Sequence, residues 1–311
     1  MKYVQFINSL IKEQIQNKSE IILYGQNINA GSSLSGLTRG LSLQNNNLII
    51  NTQNSENLLV GAGFGMMLNN VSSVYFMKQL DFLLLGIDHI VNTYNIIRQF
   101  KPSSSFTIFP VTVDSGYEGP QSCLNNLDDF SSIAGIESYT FTNTHDTQNI
   151  ISSKLFNPGF RILTTGQRLL REEVIEVEAI NIGPNCDYFQ YKKGNDIAIV
   201  CFNQTFDFGL QMHDQMQKKK ISSSLFTVNS HLKSNYRLII DDIKISKRLI
   251  ILDDSKSRNK LSDFFFKEVM RECNLKSYKM IIRDDLNTKF SPSKDNLEID
   301  YPSVISQIFK I

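Results

Sequence analysis

The chain has 311 residues, of which 41% are hydrophobic and 20% are charged, a composition typical of a globular protein large enough for two domains. Thirty-two basic residues against 31 acidic residues give a formal net charge of +1. Such a balance produces no overall field that would recruit nucleic acid or an anionic membrane surface. The sequence therefore predicts neither kind of partner.

The four cysteines are far apart in the sequence and form no C-x-x-C pair. This spacing argues against a zinc site or a secreted disulfide framework, and it predicts free thiols in a reducing compartment, with the cytoplasm as the expected location. Residues 1–20 lack the continuous apolar core of a signal peptide. The longest apolar stretch, 80–87, is interrupted by Asp81 and is too short to span a bilayer.

The first half of the chain alternates between strand-like and helix-like patterns. An amphipathic helix is predicted over 4–16. Strands are predicted at 20–25, 47–51, 71–77, 104–113, 137–142 and 160–165, with helical patterns at 82–99 and 145–154. This order indicates a mostly parallel sheet with helices on both faces.

The pattern changes between about 171 and 195, where charged residues surround Gly183-Pro184, and this predicts a crossover between domains. A second α/β unit follows, with strands predicted at 196–202, 223–230, 247–255 and 277–285 and helices at 206–219 and 259–273. The predicted fold class is α/β with two domains, each a mostly parallel sheet flanked by helices. The expected boundaries are a first domain at 1–182, a linker at 183–195 and a second domain at 196–311.

Several stretches, taken in chain order, resemble a known family. They are LYGQNI (23–28), SGLTRGL (35–41), TQNSENLLVGAGFGMML (52–68), LDFLLLGIDHIVN (80–92), EGPQS (118–122), SSIAGIESY (131–139) and KGNDIAIVCF (193–202). The family is that of the β subunits of the thiamine-diphosphate-dependent decarboxylase component of 2-oxo acid dehydrogenases, which share their two domains with the second half of transketolase. The resemblance implies a pyrimidine-binding domain followed by a transketolase C-terminal-like domain.

Glu56 is the acid in NSENLLVGAGFGMM (54–67). The resemblance implies that it hydrogen-bonds a nitrogen of the aminopyrimidine ring of thiamine diphosphate and drives the ring to its imino form, which activates the cofactor. Packing against Leu58, Leu59 and the glycine-rich helix is expected to keep the carboxyl dry enough for its neutral form to be accessible. The alternative is an ordinary first-turn acid favoured by the helix dipole.

Phe82 matches the family's phenylalanine that stacks on the aminopyrimidine, with the same spacing from Glu56. The alternative for Phe82 is an ordinary core aromatic. The glycines at 61, 63 and 65 do not complete a dinucleotide fingerprint, because Met66 stands where the last glycine is required. Close helix packing at a subunit interface is the better explanation for these small residues.

The family's Gly-Asp-Gly motif, which holds the cofactor diphosphate through a divalent metal, is absent from the sequence. No metal site is therefore predicted in this chain. The resemblance implies that thiamine diphosphate is shared with an α-type partner subunit, that the partner holds the diphosphate and Mg²⁺, and that the assembly is an α2β2 heterotetramer.

The chain departs from the family at the histidines. The family loop Pro-Gln-His-Ser-Gln is matched by a segment with Gln121 followed by Ser122, and a second family histidine is replaced by Ser132. A serine cannot act as a general base near neutral pH without help. His89 and His145 are interpreted as a packing or interface residue and a helix-start residue. Segment 115–124, including Gln121 and Ser122, is the expected substrate entrance. A further departure from the family is Gln26, which stands where the family commonly has an acid.

These observations predict the β-type subunit of a heteromeric thiamine-diphosphate enzyme that cleaves or forms a carbon–carbon bond next to a carbonyl. The expected substrate is a 2-oxo acid or a ketose, and activity is expected only with the α-type partner. One alternative is a 2-oxo acid dehydrogenase β subunit linked to lipoamide. The other is a catalytically silent subunit that retains the fold.

Overall fold

The computed structural model describes residues 1–16, 18–42, 47–119, 122–283, 293–294 and 297–310. The helices are α1 Tyr3–Gln16, α2 Glu56–Leu68, α3 Tyr94–Ile97, α4 Leu127–Ala134, α5 Thr144–Lys154, α6 Gln167–Arg171, α7 Phe206–Lys218, α8 Arg237–Ser246, α9 Leu261–Glu272 and α10 Tyr301–Phe309. The strands are β1 Ile21–Gly25, β2 Leu48–Asn51, β3 Ser72–Met77, β4 Ser105–Thr112, β5 Gly116–Tyr117, β6 Glu137–Thr140, β7 Gly159–Gly166, β8 Asn181–Ile182, β9 Tyr188–Lys192, β10 Ile197–Phe202, β11 Ser223–Val228, β12 Arg248–Asp253, β13 Ser277–Ile282 and β14 Ser293–Lys294.

The first half contains a six-stranded sheet in the order β2-β1-β3-β4-β7-β6, and all of its pairings are parallel. Strand β4 is buried along its whole length, as expected for a central strand covered on both faces. The order of strands reverses at β1, because β2 lies on one side of it and β3, the next strand in the chain, lies on the other. In sheets of this kind the crevice at the carboxyl ends of two such strands is where ligands bind.

The second half contains another six-stranded sheet, in the order β13-β12-β10-β11-β9-β8. Four of its strands run parallel, whereas β9 pairs antiparallel with β11, and β8 pairs antiparallel with β9. The predicted α/β class with mostly parallel sheets is thus confirmed. Strand β9 lies inside the segment predicted as a linker, 183–195, so this part of the segment belongs to the second sheet.

One hydrophobic core is shared by the two halves. It includes buried residues from α1 and α5 in the first half and from α7 and α10 in the second half. Two smaller cores lie on the outer faces of the sheets, one under α2 and α4 and one under α8 and α9. Because the largest core crosses between the halves, burial of apolar surface joins them.

Backbone hydrogen bonds also join the halves at β6, the edge strand of the first sheet. The N–H of Thr140 in β6 donates to the carbonyl of Asn229 at 2.9 Å, and the N–H of His231 donates to the carbonyl of Ser138 at 2.8 Å. The side-chain amide of Asn229 donates to the carbonyl of Thr140 at 2.8 Å. The segment after β11 therefore covers edge strand β6.

The helical pattern predicted at 82–99 forms a broken helical segment. A 3-10 helix spans Leu80–Gly86, a π-helical turn spans His89–Thr93, α3 follows directly, and a second 3-10 turn spans Arg98–Phe100. The predicted helical pattern is thus confirmed, and its geometry is irregular, because apolar spacing does not by itself distinguish three residues per turn from four or five.

All four cysteines are free thiols, as the sequence predicts. Within the described ranges, no helix has both the length and the apolar character needed to cross a membrane.

Candidate active site

Glu56 is the first residue of α2 and directly follows the loop after β2, so it lies at the carboxyl edge of the first sheet. The first turns of α2 rest on two stacked tyrosines, Tyr24 and Tyr75, whose ring centroids are 5.1 Å apart with an interplanar angle of 7°. The Tyr24 hydroxyl donates to the carbonyl of Leu59 at 2.8 Å. A buried aromatic pair therefore fixes the position of the start of α2 above the sheet, and with it the position of Glu56.

Glu56 is more exposed to solvent than predicted. Glu56 is half-buried, Leu59 is buried, and the side chain of Leu58 is 66% exposed. The expectation that Leu58 covers the acid is wrong for this chain, because Leu58 lies on the outer side of the helix. The Glu56 carboxylate lies near Tyr75: burial first, and then the charge of Glu56, raises the pKa of the Tyr75 hydroxyl.

Phe82 lies in the 3-10 helix 80–86 and packs, half-buried, against the core under α2. This helix contacts the start of α2 through Gly86. A Cβ added there would lie 2.6 Å from Cγ2 of Val60 and 3.5 Å from the carbonyl oxygen of Glu56. Only glycine permits this approach, so Gly86 brings the element that carries Phe82 against the element that carries Glu56.

Ser122 is held beside the same helix. Its hydroxyl donates to Oε1 of Gln79 at 2.9 Å. The buried carboxylate of Asp81 accepts from the backbone N–H groups of Cys123 at 2.9 Å and Leu124 at 3.0 Å. Burial raises the pKa of Asp81, and the two N–H donors offset part of that effect. Gln121 lies outside the described residues.

Glu56, Phe82 and Ser122 are therefore all anchored around the helix 80–86. Neither Gln79 nor Asp81 is predicted from the sequence as an anchor of the entrance segment. Both residues follow the end of β3, and polar residues directly after a parallel strand are the signal that could have identified them.

The histidines take no part in this arrangement. Nδ1 of His89 lies 3.0 Å from the Thr93 hydroxyl, and His145 follows the N-cap Asn143 of α5. His213 lies 2.7 Å from the Ser223 hydroxyl. His231 is buried, with Nδ1 2.5 Å from Asp128 and Nε2 2.6 Å from the Thr140 hydroxyl.

The glycines of α2 pack within the chain. A Cβ at Gly61 would lie 2.7 Å from Nε2 of His89, and one at Gly63 would overlap the ring of Phe106, whereas Gly65 has open space around it. The first two glycines therefore pack closely against other residues of this chain, and their place at a subunit interface stays a prediction. His89 is accordingly a packing residue.

A cavity of about 240 Å³ opens at the same sheet edge. It is lined by Gln26, Asn27, Ser32, Leu34, Ser35, Lys78, Gln79, Val111, Gln167, Leu170 and Arg171. Gln26, the amide that replaces the family acid, is thus part of a cavity wall. Among the described side chains, no group of three or more His, Cys, Asp or Glu residues could hold a metal ion.

Comparison with known proteins shows distant relatives over most of the chain. It is 20% identical over 271 residues to the 2-oxoisovalerate dehydrogenase subunit beta of Bacillus subtilis (strain 168), covering 85% of this chain and 82% of the relative. It is 21% identical over 267 residues to the pyruvate dehydrogenase E1 component subunit beta of Staphylococcus aureus (strain Mu50), covering 82% and 80%. No family model matches the chain.

A third relative is the acetoin:2,6-dichlorophenolindophenol oxidoreductase subunit beta of Cupriavidus necator, 19% identical over 309 residues, covering 94% of this chain and 91% of the relative. Among solved structures, a split-gene transketolase, described as an inactive beta4 tetramer, matches with a TM-score of 0.70 at 13% identity, covering 90% of this chain and 88% of that one. The chain thus has the transketolase-like α/β fold and resembles, along more than four fifths of its length, the β subunits of 2-oxo acid dehydrogenases.

Proposed function

We propose that the chain is the β-type subunit of a heteromeric thiamine-diphosphate enzyme that cleaves or forms a carbon–carbon bond next to a carbonyl. The observation that carries the proposal is the contact between the two elements that carry Glu56 and Phe82. Each follows a different strand of the first sheet, and the contact at Gly86 brings their elements together.

The exposed apolar residues beside this site support a partner subunit. Leu58 is 66% exposed, and Leu84 and Leu85 in the adjoining helix are 51% and 60% exposed. Large apolar side chains clustered at the surface mark sites of protein association. An α-type subunit placed on this face would cover Leu58 and would supply the dry environment that the activating acid requires.

When bound, thiamine diphosphate supplies the electron sink for bond cleavage or formation beside a carbonyl. In this chain, Glu56 would hold a proton at a ring nitrogen of the aminopyrimidine, and Phe82 would orient that ring by stacking. The residues present fit this half of the cofactor. The diphosphate and Mg²⁺ are assigned to the partner, because the sequence lacks the Gly-Asp-Gly motif.

The decisive variant is Glu56→Gln in the complex with the partner. It keeps the size of the side chain and removes the exchangeable carboxyl proton, so turnover is expected to fall by more than a hundredfold, about 3 kcal/mol in the activation free energy. Glu13→Gln is the matched control, since Glu13 is an exposed acid on α1. Equal turnover in the two variants would contradict a role for Glu56 in the reaction.

A binding measurement tests the divided cofactor site without relying on activity. Thiamine diphosphate with Mg²⁺ is expected to raise the melting temperature of the complex, because a ligand that binds only the folded assembly stabilises it. The same addition should leave the melting temperature of the isolated chain unchanged. Tight binding to the isolated chain would refute the assignment of the diphosphate and metal to a partner.

A lipoamide-linked 2-oxo acid dehydrogenase is the alternative reaction, and the names of two relatives favour it. The hydroxyl of Ser122 donates to Gln79, and no described histidine bonds to either residue, so the described part of the entrance offers no histidine base for acyl transfer to lipoamide. Acyl transfer to a lipoyl domain by the complex would establish this alternative. A catalytically silent subunit is the remaining one, and full activity of Glu56→Gln would favour it.

A further inference from the structure

The cavity at the carboxyl edge of the first sheet has the position of a ligand site. Gln26 follows β1, and Lys78 and Gln79 follow β3, so its walls include both sides of the crevice between β1 and β3, where the order of strands reverses. Open α/β sheets bind ligands at such a point. Neither Glu56 nor Phe82 lines the cavity, so its chemistry has to be explained from other residues.

The lining is positively charged and rich in hydrogen-bond donors. Lys78 and Arg171 are its two charged residues, and no carboxylate lines it. Within the described part of the chain, no ion pair or hydrogen bond joins either cation to an acid. Val111 and Leu170, both largely buried, form an apolar part of the wall. Two unneutralised cations around a small cavity favour a ligand with a negatively charged oxyanion group.

Two amides give the cavity further polarity, that of the buried Gln79 and that of the half-buried Gln167. Oε1 of Gln79 is occupied by the Ser122 hydroxyl, which leaves its NH₂ group as a donor. Nε2 of Gln167 donates to the exposed Glu118 carboxylate at 3.1 Å, whereas Oε1 of Gln167 is buried without a hydrogen-bond partner. An unpaired buried acceptor is costly, and a ligand hydroxyl would satisfy it.

A second cavity, of about 280 Å³, provides an internal comparison. It is lined by Lys2, Val4, Gln5, Asn8, Lys12, Ser35, Gly36 and Arg39. It is also basic, but none of its side-chain atoms is buried and unpaired in the described structure. Both cavities are therefore positively charged. The feature that distinguishes the first cavity from the second is the buried Oε1 of Gln167, which has no hydrogen-bond partner.

We propose that the cavity between Lys78 and Arg171 binds a small hydroxylated metabolite by its oxyanion group, a phosphate ester or a carboxylate. Lys78 and Arg171 contact the oxyanion, the Gln79 amide donates to it, and Gln167 accepts from a neighbouring hydroxyl. Every residue named belongs to this chain, so the site requires neither thiamine diphosphate nor a partner subunit.

The test is calorimetric titration of the full-length chain alone, at low salt, with glycerol 3-phosphate, glycerate and inorganic phosphate as probes. Saturable binding of one of the two hydroxylated probes is expected, and it identifies whether the oxyanion is a phosphate or a carboxylate. Binding tighter than that of inorganic phosphate supports the hydroxyl contact with Gln167. Absence of saturable binding by all three probes would overturn the proposal.

The variants Lys78→Met and Arg171→Met are each expected to raise the dissociation constant by about fivefold or more, since each removes a charge-assisted hydrogen bond. Lys12→Met, in the second basic cavity, is the matched control and is expected to have no effect. Equal weakening by Lys12→Met would show general attraction to basic surface and would refute the site. Because cofactor and partner are absent from the assay, this outcome is independent of the result for Glu56→Gln.

Discussion

Replacing Gly63 with alanine tests whether the start of α2 is positioned by contacts within the chain. A Cβ at this position would overlap the ring of Phe106 and would lie 2.5 Å from the Tyr24 hydroxyl. The Phe106 ring has little freedom to move, because it packs edge-on against Phe64 at 5.0 Å and in a tilted arrangement against Phe160 at 5.2 Å. The added methyl group must therefore displace the helix or the aromatic cluster.

The expected magnitude follows from two opposing effects. Overpacking a well-filled core costs about 1–3 kcal/mol, and replacing a glycine inside a helix with alanine gains about 0.5–1 kcal/mol. Gly65→Ala is the matched control, since it has open space around it and should show only the gain. The free energy of unfolding of Gly63→Ala should thus be about 1–3 kcal/mol below that of Gly65→Ala.

Urea denaturation of the isolated chain, followed by circular dichroism, measures this difference. The comparison requires that the unfolding free energies of the two variants depend on urea concentration with the same slope. If the two variants were equally stable, the packing described for α2 would be incorrect. In the complex with a partner, Gly63→Ala should also reduce turnover, because a displaced helix start moves Glu56.

Other predictions concern the entrance segment, pH and the junction between the halves. Asp81→Ala should raise amide hydrogen exchange at residues 123–124 by about tenfold or more, since it removes their shared acceptor, while Asp81→Asn keeps an acceptor oxygen and should change it less. Burial raises the pKa of Asp254 to about 6, so its stabilising contribution is present below about pH 4 and is lost as pH rises through 6. Asp254→Asn should therefore reduce the loss of unfolding free energy between pH 4 and 7 by about 1–3 kcal/mol, and identical pH profiles would contradict this. His231→Leu leaves the buried Asp128 without its side-chain partner and should lower the free energy of unfolding by about 3–5 kcal/mol in urea titration at pH 7; a change below about 1 kcal/mol would show that this pair does not stabilise the junction.

The sequence predicts the parallel strands well because their apolar runs are continuous and bounded by turn residues. It does not reveal β9, because the five residues YFQYK lie in a charged segment and their pairing with β11 is a tertiary contact. Helix α8 is not predicted either, although Ile239, Ile240 and Ile243 give it a buried face. Short elements in polar surroundings carry too few apolar positions for the period to be recognised.

The candidate site also has some features that the sequence predicts and others that it does not. Glu56 and Phe82 were identified from the order of motifs along the chain, and the structure shows that their elements are in contact. The exposure of Leu58 could not be predicted, because the side of a helix that faces the core is ambiguous when apolar residues surround it. The basic cavity is not predicted from the sequence either, since its walls come from elements far apart in the chain.

The pairing of edge strand β6 with the segment after β11 affects how fragments of the chain are expected to behave. A fragment cut after the first half, at about residue 182, would lose Asn229 and His231 and would expose a row of unpaired backbone groups along that strand. Bare strand edges of this kind recruit other chains and lead to aggregation. Soluble expression of such a fragment is therefore expected to require a replacement for the missing segment, for example a tethered peptide spanning residues 228–232.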